Sequence, residues 1–221
     1  MELDFGPVAD NWRYLALGLG STLLLALFTA CLATLLGTAL ALVRVYGPRW
    51  LRPLIAFYVD SIRALPVLVV LVWTYFAFPL LAGINFPPFW AALIALSMHA
   101  SAYMSEIARA GITSVRSGQM RAGLALGMSR AAVIRKIILP QAIVRTLPSY
   151  GSMLAIIIKD SAVASVIAVP EYLYRSTTIA AQTYRPIEVF TVAIVVYFLI
   201  IFPLTRGVDL IYRRVAKLGR S

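Results

Sequence analysis

Few residues in this chain could do chemistry. It has one histidine, His99, and one cysteine, Cys31, and they lie in different apolar runs. That pair makes no catalytic set, no internal disulfide and no metal-ligand cluster. No GxxxxGK[ST] phosphate loop occurs, so the chain cannot bind and hydrolyse ATP in the usual way. The reading is therefore a protein that is not an enzyme and that holds no metal and no cofactor of its own. His99 reads as a packed or hydrogen-bonded core residue, and Cys31 as structural.

The remaining chemistry sits in charges placed within apolar sequence. Asp60 and Arg63 are one helical turn apart, and so are Glu106 and Arg109. Each pair can neutralise itself at i, i+3, or all four can join a cross-helix network. Lys159 and Asp160 lie deeper in another apolar run. A charge inside a bilayer costs roughly 2.5–3.5 kcal/mol on insertion scales, so such groups face a partner or a water-filled path. Adjacent helical residues point about 100° apart. Lys159 and Asp160 therefore cannot serve one face, and one of them is a candidate for lining a path.

The elements that position these groups follow from composition. The chain has 221 residues, is 61% hydrophobic and only 13% charged. A soluble domain carries about 25% charged residues, so the excess apolar surface must face lipid. The net charge of +11 admits a nucleic-acid partner, but in a membrane protein it more often reports Lys and Arg retained in cytoplasmic loops. The first apolar run is too long for a cleavable signal peptide and follows acidic residues.

Charge-free runs and Pro/Gly breaks predict an all-α integral membrane protein. It is one transmembrane domain, 1–221, with spans at about 14–43, 54–78, 89–108, 147–169 and 188–210. In the first, Ala26, Ala30, Ala33, Gly37 and Ala41 form a small-residue face for close helix approach. The loops at 44–52, 109–146 and 206–220 are basic, and the others are neutral or acidic. That asymmetry puts the N-terminus outside and the C-terminus in the cytoplasm.

The basic stretch Gly118–Pro140 lies within the 109–146 loop. Gln119 to Leu126 can form a short helix stopped by Gly127. Ser129 can cap a second helix, Arg130 to Ile138, and Leu139-Pro140 punctuates the run. Two short helices at a Gly turn also pass a loose filter for a DNA-binding helix-turn-helix. Tethering to apolar runs on both sides argues against it, so no nucleic-acid partner is expected.

These residues resemble the loop of permease subunits of binding-protein-dependent ABC importers. Its pattern is roughly EAA, three residues, G, nine residues, I, one residue, LP. Arg121-Ala122-Gly123 stands at EAA, Gly127 at the glycine, and Ile137 with Leu139-Pro140 at the end. The flanks are similar to the polar amino acid branch: Gly118-Gln119, Leu139-Pro140-Gln141-Ala142, and Lys159-Asp160-Ser161. Arg63-Ala64-Leu65-Pro66 looks like that branch's RGTP segment, and Tyr103, Glu106, Arg109 and Gly111 fit its YxxExxRxG stretch. Arg121 replaces the family's usual Glu, Gly123 its second Ala, and Ser152 a common Asn.

The resemblance implies a type I ABC importer permease that moves a polar amino acid across the bacterial inner (plasma) membrane by alternating access. The implied partners are a cytoplasmic ABC ATPase dimer, a second permease (identical or paralogous), an extracytoplasmic substrate-binding protein, the amino acid and the lipid bilayer. ATP and Mg would belong to the ATPase. Gln119, Arg121, Ala122, Gly123, Leu126, Gly127, Leu139 and Pro140 become the coupling residues. Ser152 and Ser161 join Lys159 and Asp160 as path candidates. With Arg121, either the ATPase has a complementary acid or shape carries the contact. The alternative is a stand-alone secondary transporter or channel. Five spans and no internal inverted repeat weigh against it.

Overall fold

A computed structural model describes residues 3–218, with side chains as far as Val215. Glu2 and Arg220, counted among the terminal charges, lie outside the described residues, as does the side chain of Lys217. The order is α1 Gly6–Asp10, α2 Trp12–Tyr46, α3 Leu51–Ala64, α4 Val67–Val72, α5 Phe78–Ala82 and α6 Pro88–Ser114. Then come α7 Ser117–Ala125, α8 Arg130–Val133, α9 Leu139–Ser161, α10 Tyr172–Thr183 and α11 Pro186–Leu218. No strand occurs among the described residues.

Three helical stretches are long and apolar enough to cross a membrane, Trp12–Tyr46, Arg130–Ile167 and Pro186–Val215. A fourth is the pair Leu51–Ala64 and Val67–Ala82, if its two halves count as one broken span, and they meet at 104°. The expected span 54–78 is therefore two pieces. The bend has a cause in the sequence. Pro66 lacks an N–H and disfavours helical backbone at the residue before it, and Leu65 is extended at φ −91° and ψ 139°.

The third expected span, 89–108, lies in α6. This helix is too polar to qualify by hydropathy, because Ser97, His99, Ser101, Tyr103, Ser105 and Glu106 dilute it. It is instead sheathed by protein. The consecutive residues Ala91, Ala92 and Leu93 are all buried, and so are Ala100, Ser101 and Ala102. Successive positions point about 100° apart, so more than one face is covered. A helix that meets neighbours rather than lipid need not be apolar.

The small-residue face of α2 is what α6 meets. Ala26, Ala33, Gly37 and Ala41 are buried, with Ala30 partly so. A Cβ at Gly37 would lie 2.8 Å from the Ser101 carbonyl oxygen and from the Ser105 amide, so only glycine permits this approach. The core continues along the bundle. At one end Leu25 and Leu71 pack with Leu96 and Val169. In the middle Ala33 and Met104 pack with Met153 and Ile157. At the end carrying Arg44 and Arg109, Ala41 and Ile112 pack with Val133, Ile138 and Ala142.

The expectation that Leu139-Pro140 stops a helix is corrected. The chain runs helically from Arg130 to Ser161 through a π-helical turn, Ile134–Ile138. Pro140 cannot donate to the ladder, and in the turn just before it the Leu139 amide bonds Ile134 five residues back. The same device recurs before Pro79, where Trp73–Ala77 is π-helical and the Phe78 amide bonds Trp73. Leu147-Pro148, expected to open a span, and Lys159-Asp160 do not interrupt the helix. Both lie inside α9, which passes into a 3-10 turn, Ala162–Ile167.

Candidate functional site

The 109–146 segment, expected as a loop, is mostly helical. Its projecting part is a hairpin of α7 and α8. The end of α7 closes with two reciprocal bonds. The Gly127 amide reaches the Leu124 carbonyl at 3.0 Å and the Met128 amide the Gly123 carbonyl at 3.1 Å. This is a Schellman closure, and it needs a left-handed residue after the cap. Gly127 supplies it at φ +79°. Ser129 then caps α8, its hydroxyl accepting from the Ala132 amide at 3.2 Å.

Gly123 fixes the hairpin to the bundle. A Cβ there would lie 2.6 Å from a Val133 methyl, so α7 rests directly on the helix that leads into α9. Along α7 only Gly123 is buried and Met120 half-buried. Gln119, Arg121, Ala122, Leu124 and Ala125 are exposed, and so are Leu126 and Gly127 beyond it. Leu126 is 81% exposed. Leu139 is half-buried and Pro140 exposed, one turn further along the continuous helix.

The charged residues do not pair as i, i+3 spacing proposes in every case. Glu106 holds Arg109 through Nε at 3.0 Å and through a terminal nitrogen at 2.6 Å. Its other oxygen accepts from Arg44 of α2. Asp60 and Arg63 form no ion pair. Arg63 instead lies over the Tyr103 ring, 5.4 Å from its centroid, and its carbonyl accepts from the Tyr103 hydroxyl at 3.2 Å. Arg63 is in the last turn before the Leu65-Pro66 bend, where α6 presents that ring, and Asp60 stays exposed.

The path candidates are not brought together. Lys159 is exposed, Asp160 half-buried and Ser161 fully buried. Ser161 donates to the Ile158 carbonyl at 2.8 Å, and Ser152 to the Pro148 carbonyl at 3.1 Å. None of the four lines the apolar cavity of about 380 Å³ between α2, α6 and α9, which is bounded by Thr38, Met104, Ile107, Ala142 and Tyr150. His99 is buried, with Nε2 3.2 Å from the Leu65 carbonyl at the bend. Cys31 is exposed on α2. No group of three metal-ligating side chains occurs among the described residues.

Two residues escaped the sequence reading. Arg44 reads as a loop charge, yet it pairs with Glu106. Glu171 reads as one charge in a balanced loop, yet it is fully buried. Its carboxylate caps α10 by accepting from the Tyr174 amide at 2.6 Å, and it accepts from Thr22 at 3.1 Å and Tyr197 at 3.4 Å. Burial pushes the Glu171 carboxyl above its ordinary value, against hydrogen bonds that pull it down. The available signal was Val169-Pro170-Glu171 standing just before a helical run.

The family described as "binding-protein-dependent transport system inner membrane component" matches residues 33–217, and the chain belongs to it. It is 32% identical over 205 residues to the arginine transport system permease protein ArtQ of Bacillus subtilis, covering 93% of this chain and 94% of that one. It is 36% identical over 205 residues to the octopine transport system permease protein OccM of Rhizobium meliloti, covering 88% and 84%. A solved structure described as an amino acid ABC transporter with histidines superposes with TM-score 0.88 at 32% identity, over 97% of this chain and all of that one. A chain of the MetNI methionine ABC transporter in an inward-facing conformation matches at TM-score 0.80 and 17% identity, over 93% and 98%, and shares the fold. This chain is thus an amino acid ABC transporter permease and a multi-pass membrane protein.

Proposed function

We propose that this permease imports a polar amino acid across the bacterial inner membrane by alternating access, driven by a separate ATPase dimer that docks on the α7–α8 hairpin. The observation that carries the reading is that hairpin. It is preorganised by Gly123, Gly127 and Ser129, yet it leaves Leu126 almost wholly outside the molecule. Alternating access needs an element that transmits a partner's motion without deforming, and a hairpin continuous with α9 through Ile134–Ile138 meets that need.

In this reading the whole chain is one transmembrane domain. The bent α3–α4 pair and α6 complete five spans, with the N-terminus outside and the C-terminus in the cytoplasm. Gln119, Arg121, Ala122, Leu126 and Gly127 contact the ATPase, Gly123 holds the coupling hairpin in place, and Leu139 and Pro140 lie at the root of the transmitting helix. ATP and Mg are the ATPase's, so this chain performs no hydrolysis. A second permease, identical or paralogous, completes the pathway, and an extracytoplasmic binding protein delivers the substrate. Lys159, Asp160, Ser161 and Ser152 remain the path candidates, and the arginine and octopine relatives support an amino acid as cargo. The test is uptake of labelled amino acids into proteoliposomes holding the permease pair, the ATPase and ATP inside, with binding protein outside. ATP-dependent uptake supports the proposal. Uptake by the permease alone down an ion gradient overturns it in favour of a secondary transporter.

A further inference from the structure

Five cations crowd the hairpin and its root: Arg116, Arg121, Arg130, Arg135 and Lys136. No acidic residue occurs between Glu106 and Asp160. Among the described residues none of the five has a carboxylate within ion-pair distance. Arg130 alone has an aromatic neighbour, with its guanidinium 6.0 Å from the Tyr46 ring centroid. The Arg121 side chain is exposed and forms no ion pair or ring contact. Between these charges stand Leu124, 46% exposed, and Leu126, 81% exposed.

Such a surface selects its occupant by two criteria. The leucines gain by leaving water, so the partner must offer an apolar pocket. The cations repel one another and any basic surface, so the rim of that pocket must be negative. An anionic membrane surface meets both criteria loosely, because leucines also bury between headgroups and acyl chains. It does not require the turn conformation that Gly127 enforces or the close packing at Gly123, because lipid headgroups adapt to any basic segment. A preformed protein groove does require a fixed shape.

We infer that the ATPase groove receiving this hairpin is an apolar pocket for Leu126 rimmed by carboxylates, one of which pairs with Arg121. This rests on the coupling reading above and adds the charge of the partner surface. Because the pairs form at a solvent-accessible rim, they act on association and weaken as salt shortens the screening length from about 10 Å at 0.1 M to about 3 Å at 1 M.

The test uses the full-length permease in nanodiscs and its cognate ATPase, with affinity measured between 50 mM and 1 M salt. Arg121→Glu is expected to weaken binding about tenfold at low salt, and Arg121→Lys to stay within about twofold of the parent. The parent's affinity is expected to fall steadily with salt, and that of Arg121→Glu to fall less steeply, because the other four cations remain. Leu126→Ala is expected to weaken binding at every salt concentration alike. Equal ATPase binding by Arg121→Glu and parent, without salt dependence, overturns the inference while leaving coupling intact. Unchanged ATPase binding by Arg121→Glu in neutral nanodiscs, with a loss only in nanodiscs containing phosphatidylglycerol, overturns it in favour of lipid. No ATPase binding by the parent at any salt concentration overturns the coupling reading and this inference together.

Discussion

Arg44 in the last turn of α2 donates to the Glu106 carboxylate of α6, and so ties together two helices whose contact further along depends on Gly37. Glu106 also holds Arg109, so one carboxylate bridges two cations at the end of the bundle from which the hairpin projects. Its side chain is 18% exposed, so water screens the cluster only in part.

The first prediction follows. Glu106→Gln leaves Arg44 and Arg109 facing each other, with only the exposed carboxylate of Asp60 acting on Arg109. The expected loss is about 1–3 kcal/mol, read as a lowered unfolding midpoint of the purified chain in detergent. Arg44→Met is expected to cost less, because Arg109 still pairs. The double variant is expected to lose less than the sum of the singles. Strict additivity would show that the two groups do not interact.

Gly127 gives the second. A Cβ there meets open space, so the obstacle to substitution is backbone conformation and not a clash. Gly127→Val at φ +79° costs about 1–2 kcal/mol locally and shifts the hairpin tip. The expected phenotype is loss of transport-coupled ATP hydrolysis at normal abundance in the membrane fraction. Gly127→Asn, which tolerates a left-handed backbone, is expected to keep most of the coupling. Normal coupling in the valine variant contradicts the role given to the turn.

Ala168 offers a third, unrelated to coupling. It ends the 3-10 turn at φ +59° and is exposed. Ala168→Gly relieves that strain and is expected to stabilise by about 0.5–1 kcal/mol, or roughly 2 °C in midpoint for a chain of this size. Ala168→Val is expected to lower it. A glycine variant less stable than the parent would show that the alanine conformation is not strained.

Glu171 supplies a pH prediction. Its carboxyl is raised in the folded state because burial penalises the charged form. The stabilisation it brings is full below the unfolded value of about 4.3 and is lost as pH rises through the folded value. Glu171→Gln cannot titrate, so its unfolding midpoint relative to the parent is expected to improve as pH rises across that window. A difference that does not change with pH rules this out.

The helical class and the apolar runs were legible because lipid-facing helices must be apolar over about 20 residues. The turn at Gly127 and the cap at Ser129 were legible because both are set by local backbone needs. The continuity of Arg130–Ser161 was not. Leu139-Pro140 reads as a stop by composition, and only the bond pattern of the π-helical turn shows how the helix passes it. Asp60–Arg63 failed for a related reason. Sequence spacing offers a pair, but the ring of Tyr103 arrives from a different helix. Glu171 was hidden because a carboxylate in a balanced loop looks solvated until Thr22 and Tyr197 are found beside it.

The central claim is that the hairpin conveys the work of a partner ATPase to this chain. The most direct measurement is ATP hydrolysis by the reconstituted complex, with and without liganded binding protein, for the parent and for Gly127→Val. The account predicts that liganded binding protein stimulates hydrolysis in the parent and leaves the variant at its basal rate, with ATPase and permease still present in equal measure. Stimulation of the variant to the parent's level would contradict it.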